Sequence, residues 1–238
     1  MFSFFNKKPT PDRSAPLELI SIHIPKTAGT SFRNTLAGVY GDQAVVRLDI
    51  GLVRQEVRIR EKIYSESTLP PGTRVIHGHY SYPLLTQHFH VDPALPVITW
   101  LRDPVRRVVS NYHYLAKRLA EELKEEQRGL NILKKMQRSL LEYAHDETNQ
   151  NRMSRFLEGL SLETMHFVGI VEQYDEDLKT LANRMGWADY PVFHHNQTGK
   201  DTSSITDTER DIIRSFNQED VALYEHALDL RKKGHWQR

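Results

Sequence analysis

The sequence predicts an α/β fold, a central parallel sheet flanked by helices and entered through a P-loop-like strand–loop–helix. Three observations carry this. Short apolar runs at 18–24, 74–78, 97–101 and 166–171 alternate with longer segments of helical periodicity, the pattern of crossover units that build a parallel sheet. The first run passes into a helix through the loop PKTAGTS, residues 25–31. Finally, Lys26, His77, Arg102 and Gly169 all fall at the carboxyl ends of the expected strands, where open α/β sheets bind their ligands.

Taken in order, residues 1–16 carry three prolines and no apolar periodicity and read as a flexible tail, which leaves 17–238 as a single domain. Leu19, Ile20, Ile22 and Ile24 make the first strand, with a helix at 29–40. A short strand is expected at 44–48. The charged stretch 53–64 reads as helical, and Pro70-Pro71-Gly72 breaks the chain before the strand at 74–78. After the strand at 97–101, Asp103 followed by Pro104 signals a helix start. That helix runs to 123 with Leu115, Leu119 and Leu123 on one face, Gly129 interrupts it, and a second helix spans 130–143. The strand at 166–171 leads into a helix at 174–185. Thr206 and Glu209 form a capping box, and Asn217 caps a last helix reaching Lys232.

A chain of 238 residues buries an ample core, and the absence of cysteine removes disulfides, thiolate metal sites and a thiol nucleophile. A net charge of +1 argues against a general nucleic-acid binder, so any positive potential is local. No apolar run approaches the ~20 residues of a membrane span. Met1 to Phe5 is too short for a signal segment. A soluble, cytoplasmic protein is the simplest reading. The mixed charges of 117–128 read as a solvated helix face.

PKTAGTS brings a lysine, a glycine and three hydroxyls to a helix start. Backbone N–H groups and the helix dipole favour an anion there, and Lys26, Thr27, Thr30 and Ser31 can add to the grip. The second anion element is VITWLRDPVRRVVSNYHYL, residues 97–115. Arg102 stands at a strand end, and Ser110 lies six residues after Pro104, roughly 9 Å along the helix. The planar fork of Arg102 suits phosphate oxygens. Arg106 and Arg107 read as solvent-facing charges on the same helix.

These segments resemble the sulfotransferases. PKTAGTS is similar to their 5′-phosphosulfate loop, and LRDPVRRVVSNY (101–112) to their 3′-phosphate motif, with Ser110 matching its serine. The subgroup most resembled is the carbohydrate sulfotransferases related to heparan sulfate 2-O- and 6-O-sulfotransferases. HGHY (77–80) is similar to the His-Gly-His of the 2-O-sulfotransferases, NRMSRFLEG (151–159) to a segment of the wider family, and FVGIVEQYDEDLKTL (167–181) to its late strand–Gly–helix unit. A soluble bacterial member fits, since the animal relatives carry a membrane anchor. Met153 departs from the family, which often has glutamine there, so any ligand contact by that side chain is lost.

The resemblance implies 3′-phosphoadenosine 5′-phosphosulfate (PAPS) as sulfuryl donor, adenosine 3′,5′-bisphosphate (PAP) as product, and a carbohydrate or glycolipid acceptor. The implied donor contacts are Lys26, Thr27, Ala28, Gly29, Thr30, Ser31, Arg102, Ser110 and Lys200. In-line transfer to a hydroxyl needs a base that titrates near neutrality, which points to histidine. His77 and His79, two apart on one strand, share a face. The resemblance makes His79 the base and His77 its assistant, with Lys26 stabilising the leaving phosphate. His23 reads as a packed histidine, and neither His194 nor His195 is assigned a part. Asn151 and Arg155, four apart, take either a ligand role or the roles of helix cap and surface charge. No cluster has metal-ligand spacing, so no metal is expected. Two other readings remain open. A P-loop nucleotide kinase lacks its GxxxxGK[ST] here. A non-catalytic nucleotide- or glycan-binding module on the same fold would keep the phosphate grips without turnover.

Overall fold

The structure, a computed structural model, describes residues 16–124, 138–194 and 205–237. Its strands are β1 (Leu19–Ile22), β2 (Val45–Ile50), β3 (Val57–Ile59), β4 (Lys62–Ile63), β5 (Val75–Gly78), β6 (Val97–Leu101) and β7 (Phe167–Ile170). They form one sheet in the order β4-β3-β2-β5-β1-β6-β7. The five strands from β2 to β7 are parallel, and β3 and β4 add an antiparallel edge. β1, β5 and β7 are buried along their whole length, as strands covered on both faces must be. The expected α/β sheet flanked by helices is therefore what forms. Among the described residues no helix is long and apolar enough to cross a membrane.

The helices are α1 (Gly29–Tyr40), α2 (Tyr82–His88), α3 (Pro104–Lys124), α4 (Leu140–His145), α5 (Arg152–Phe156), α6 (Tyr174–Met185), α7 (Asp207–Phe216) and α8 (Gln218–Lys232). The main core lies on the sheet. A second apolar cluster joins Val105, Val108 and Val109 of α3 to Tyr143 and Ala144 of α4 and Ile213 of α7. It anchors the amino-terminal turns of α3, which also bear Ser110. The capping box expected at Thr206 and Glu209 is present on α7. The expected tail lies outside the described residues, apart from Pro16.

Two expectations are corrected. The stretch 53–64 is not helical but carries the β3–β4 hairpin. Val57 and Ile59 are buried while Arg58 between them is exposed, a strand alternation. The turn residues Arg60 and Glu61 have φ of 49° and 70°, the geometry of a two-residue hairpin turn. Its usual Asn or Gly signal is missing, so charge concealed it. Arg107 is not on the surface: it is 1% exposed. Its guanidinium donates to the Asn149 carbonyl at 3.0 Å and lies 3.8 Å from buried Asp220 of α8. Arg106, one residue earlier, is exposed as expected.

Asp220 also accepts from the backbone N–H groups of Met153 and Ser154 and from the Ser154 hydroxyl, which holds the first turn of α5. Asn151 N–H donates to Asn217, and Asn151 Oδ1 accepts from Asp220 N–H. These residues form a polar knot joining α3, α5 and α8. Met153 sits in the core, and Arg155 is exposed.

Candidate active site

The three innermost strands of the parallel sheet, β5, β1 and β6, deliver the site at their carboxyl ends. Beyond β1 the chain passes His23 and Ile24 into the loop ahead of α1. Lys26 and Ala28 in that loop are left-handed, with φ of 73° and 61°. Such backbone gathers N–H groups into an anion-binding concavity, and the α1 N-terminus adds its dipole. Thr27 is turned away from the ligand side: its hydroxyl and its N–H both donate to the Ile24 carbonyl, at 2.9 and 3.3 Å. It braces the loop rather than lining the cavity. Lys26 Nζ lies 4.1 Å from the centre of the Tyr114 ring, a cation–π contact with α3.

At the end of β5 stand His77 and Gly78, with His79 just past it. His77 is buried, and its Nδ1 is 2.9 Å from Ser21 Oγ on its register partner in β1. Gly78 admits the neighbouring strand, because a Cβ there would come within 1.8 Å of the Leu48 carbonyl oxygen of β2. His79 follows the strand end. Its backbone N–H donates to Asp49 Oδ1 at 3.0 Å, and its Nδ1 is 2.7 Å from the His23 carbonyl oxygen. A carbonyl only accepts, so Nδ1 carries the proton and Nε2 of the neutral ring holds an open lone pair. Burial drives the basicity of His23 and His79 down and takes His77 to about 3, so all three rings are neutral near pH 7. The Asp49 carboxylate opposes that shift at His79.

Beyond β6, Arg102 donates to the Lys26 carbonyl at 3.3 Å, which ties the two anion elements together. Ser110 is buried two turns into α3. A cavity of about 500 Å³ opens among these segments. It brings together Lys26, Ala28, Gly29, Thr30, Ser31, His77, His79, Arg102 and Ser110, all expected from the sequence. Lys200 lies outside the described residues, as do His195 and the loop 196–200. Asn151 and Arg155 do not line the cavity.

Several lining residues escaped the sequence. Arg33 projects from α1. Arg47 of β2 reaches the histidine end because its register partner in β5 is His77. Its guanidinium is held by Asp49 at 2.9 Å and Glu61 at 2.6 Å. The Arg47-x-Asp49 pair on one strand face is the signal that could have shown it. Val171, Tyr174 and Phe193 give the cavity an apolar wall. Among the described lining residues, Lys26, Arg33, Arg47 and Arg102 are cationic, and none is Asp or Glu.

The chain is similar to heparan sulfate 2-O-sulfotransferase 1 of Homo sapiens, 32% identical over 114 residues that make up 44% of this chain and 31% of that protein. The Gallus gallus protein of the same name is 30% identical over 112 residues, with the same coverage of 44% and 31%. The chain thus spans 31% of the length of these curated relatives. Among solved structures, a sulfotransferase from Alicyclobacillus acidocaldarius aligns over 87% of this chain and 94% of its own, with a TM-score of 0.46 and 14% identity. A mouse sulfotransferase complexed with PAP aligns over 86% and 65%, with a TM-score of 0.40 and 14% identity. A family model described as "Sulfotransferase family" matches residues 13–229, a span that takes in every strand of the sheet and both anion elements. On that match the chain belongs to the sulfotransferase family.

Proposed function

We propose that the chain transfers the sulfuryl group of PAPS to a hydroxyl of a carbohydrate or glycolipid acceptor, with His79 as general base. The observation that carries this reading is the state of His79. Its Nδ1 proton is committed to the His23 carbonyl, which leaves Nε2 as the basic nitrogen of a residue that lines a cavity rich in cations. The donor set fits PAPS: a helix N-terminus with Lys26, Thr30 and Ser31 suits the 5′ end, and Arg102 with Ser110 suits the 3′-phosphate. Tyr174 and Phe193 suit a purine face, and Lys200 is a further candidate for the 3′-phosphate. Bound there, PAPS supplies the sulfuryl group on a phosphate leaving group. The domain over 17–238 is taken as one catalytic unit.

In this reading His79 Nε2 takes the proton of the acceptor hydroxyl as the oxygen attacks. Lys26 leaves the Tyr114 ring and, with the α1 N-terminus, stabilises negative charge at the donor end. Buried His77 stays neutral and helps orient the acceptor or the base. The name of the heparan sulfate 2-O-sulfotransferase relatives supports a carbohydrate acceptor. The test is acceptor-dependent conversion of PAPS to PAP across a glycan panel. His79→Ala should lower turnover by about 10²–10⁴-fold with PAP affinity intact, and His77→Ala should cost less. Turnover retained in both variants would place the base elsewhere. PAP binding without turnover on any glycan would favour a binding module, and binding of ATP with magnesium in place of PAP would favour a kinase.

A further inference from the structure

A third imidazole stands between the two histidines and the loop ahead of α1. The His23 ring lies 4.3 Å from that of His79 and 5.0 Å from that of His77, centre to centre, at interplanar angles of 30° and 14°. Its backbone is fastened on both sides: its N–H donates to the Gly78 carbonyl at 2.8 Å, and its carbonyl takes the His79 Nδ1 proton. The edge of the ring fills the space over Gly29, where a Cβ would come within 1.8 Å of His23 Nε2.

We infer that His23 is a positioning residue for sulfuryl transfer, a wedge that sets the stance of the His79 ring and couples it to the donor loop at Gly29. The inference rests on His79 being the base. One hydrogen bond through Nδ1 leaves an imidazole able to pivot about it. A ring packed against its face removes that freedom. His23 cannot yield in turn, because His77 beside it is buried and held to Ser21. Any side chain at residue 29 would drive the wedge into the histidines, so glycine at the start of α1 is a requirement of the base as well as of the donor. The groups facing His23 are His77, His79, Arg33 and Arg47, and those facing His79 include Asp49, Arg47 and Arg152. With its ring neutral, His23 sits beside His79 without repelling the proton that arrives there.

The experiment compares His23→Ala, His23→Phe, Gly29→Ala, the His23→Ala/Gly29→Ala pair and His79→Ala. It reads kcat, acceptor KM, PAP affinity and the pH profile of kcat. His23→Ala should lower kcat by about 10- to 10²-fold with PAP affinity little changed. Its acid limb should rise towards the ordinary histidine range, because opening the wedge rehydrates His79. His23→Phe keeps a buried ring and should hold the limb low with most of kcat retained. Gly29→Ala should lose turnover that the paired variant partly recovers. The inference is overturned if His23→Ala keeps wild-type kcat and limb, if His23→Phe is as impaired as His23→Ala, or if the paired variant is simply the product of its singles. Full turnover in His79→Ala would overturn the base assignment itself, a distinct result.

Discussion

Asp220→Ala is the perturbation for which the structure gives the largest effect away from the cavity. The carboxylate faces the buried Arg107 guanidinium and accepts from Met153 N–H, Ser154 N–H and Ser154 Oγ. Removing one partner of a buried ion pair costs about 3–5 kcal/mol, because the other charge is stranded. Losing the acceptor at the start of α5 adds about 0.5–2 kcal/mol, the usual worth of a helix cap. The sum is comparable with the whole stability of a marginal domain, about 5–15 kcal/mol. Asp220→Asn keeps an acceptor and the shape, so it should lose clearly less. The assay is urea unfolding of wild type, Asp220→Ala, Arg107→Met and the double variant. Arg107→Met should be milder in the Asp220→Ala background, where no carboxylate remains for it to abandon. Additive losses, or a loss under about 1 kcal/mol for Asp220→Ala, would refute the account, since neighbours in one network couple by about 0.5–3 kcal/mol.

Other expectations follow from the site. PAP at 100 times its Kd should stabilise the fold by about 2.7 kcal/mol, and no melting shift at millimolar PAP would remove the donor assignment. Arg102→Ala and Ser110→Ala should each weaken PAP by about 1.5–3 kcal/mol while sparing the nucleotide that lacks the 3′-phosphate; equal losses would mean they read another part of the ligand. His77 has its basicity depressed from 6.5 to about 3, so between those values the unfolded chain binds a proton that the folded chain does not. Stability should therefore fall as pH drops through that window, and a urea midpoint unchanged between about pH 7.5 and 5 would contradict it. Gly78→Ala forces a methyl against the Leu48 carbonyl and should cost about 1–3 kcal/mol or more, with turnover lost as β2 and β5 part; a variant as stable and active as wild type would show that the strands give way freely.

What could be read from the sequence was whatever a local signal announces. The loop 25–31, Arg102 and the two histidines each sit where a strand ends or a helix begins, Ser110 lies two turns into the helix that Asp103 and Pro104 announce, and strand ends in a parallel sheet converge. Arg47 could not be found that way. It reaches the cavity because the chain returns from β2 to place β5 between β2 and β1, and strand order is not a local property. Arg107 looked solvated because it is a charge paired in sequence with Arg106; its partner Asp220 belongs to the last helix. The β3–β4 hairpin was hidden because its alternation is three residues long and its turn is made by Arg60 and Glu61. Thr27 shows the reverse error. A hydroxyl in an anion loop suggests a ligand contact, yet here it serves the backbone of Ile24. His23 was read as a packed histidine and is one, but what it packs against is the site.

The placement of the site on β5, β1 and β6 also governs when it can exist. Ser21 meets His77 across 56 residues, and Thr99 meets Ile22 across 77. Each junction closes only after a long crossover has been laid down, and such pairings form late because their loop entropy is met before any contact repays it. A chain emerging from the ribosome therefore brings His77 and His79 beside β1 only once β5 has been added, and Arg102 beside Lys26 only once β6 has followed. The candidate site is thus put together stepwise by the sheet, its histidine end before its Arg102 end.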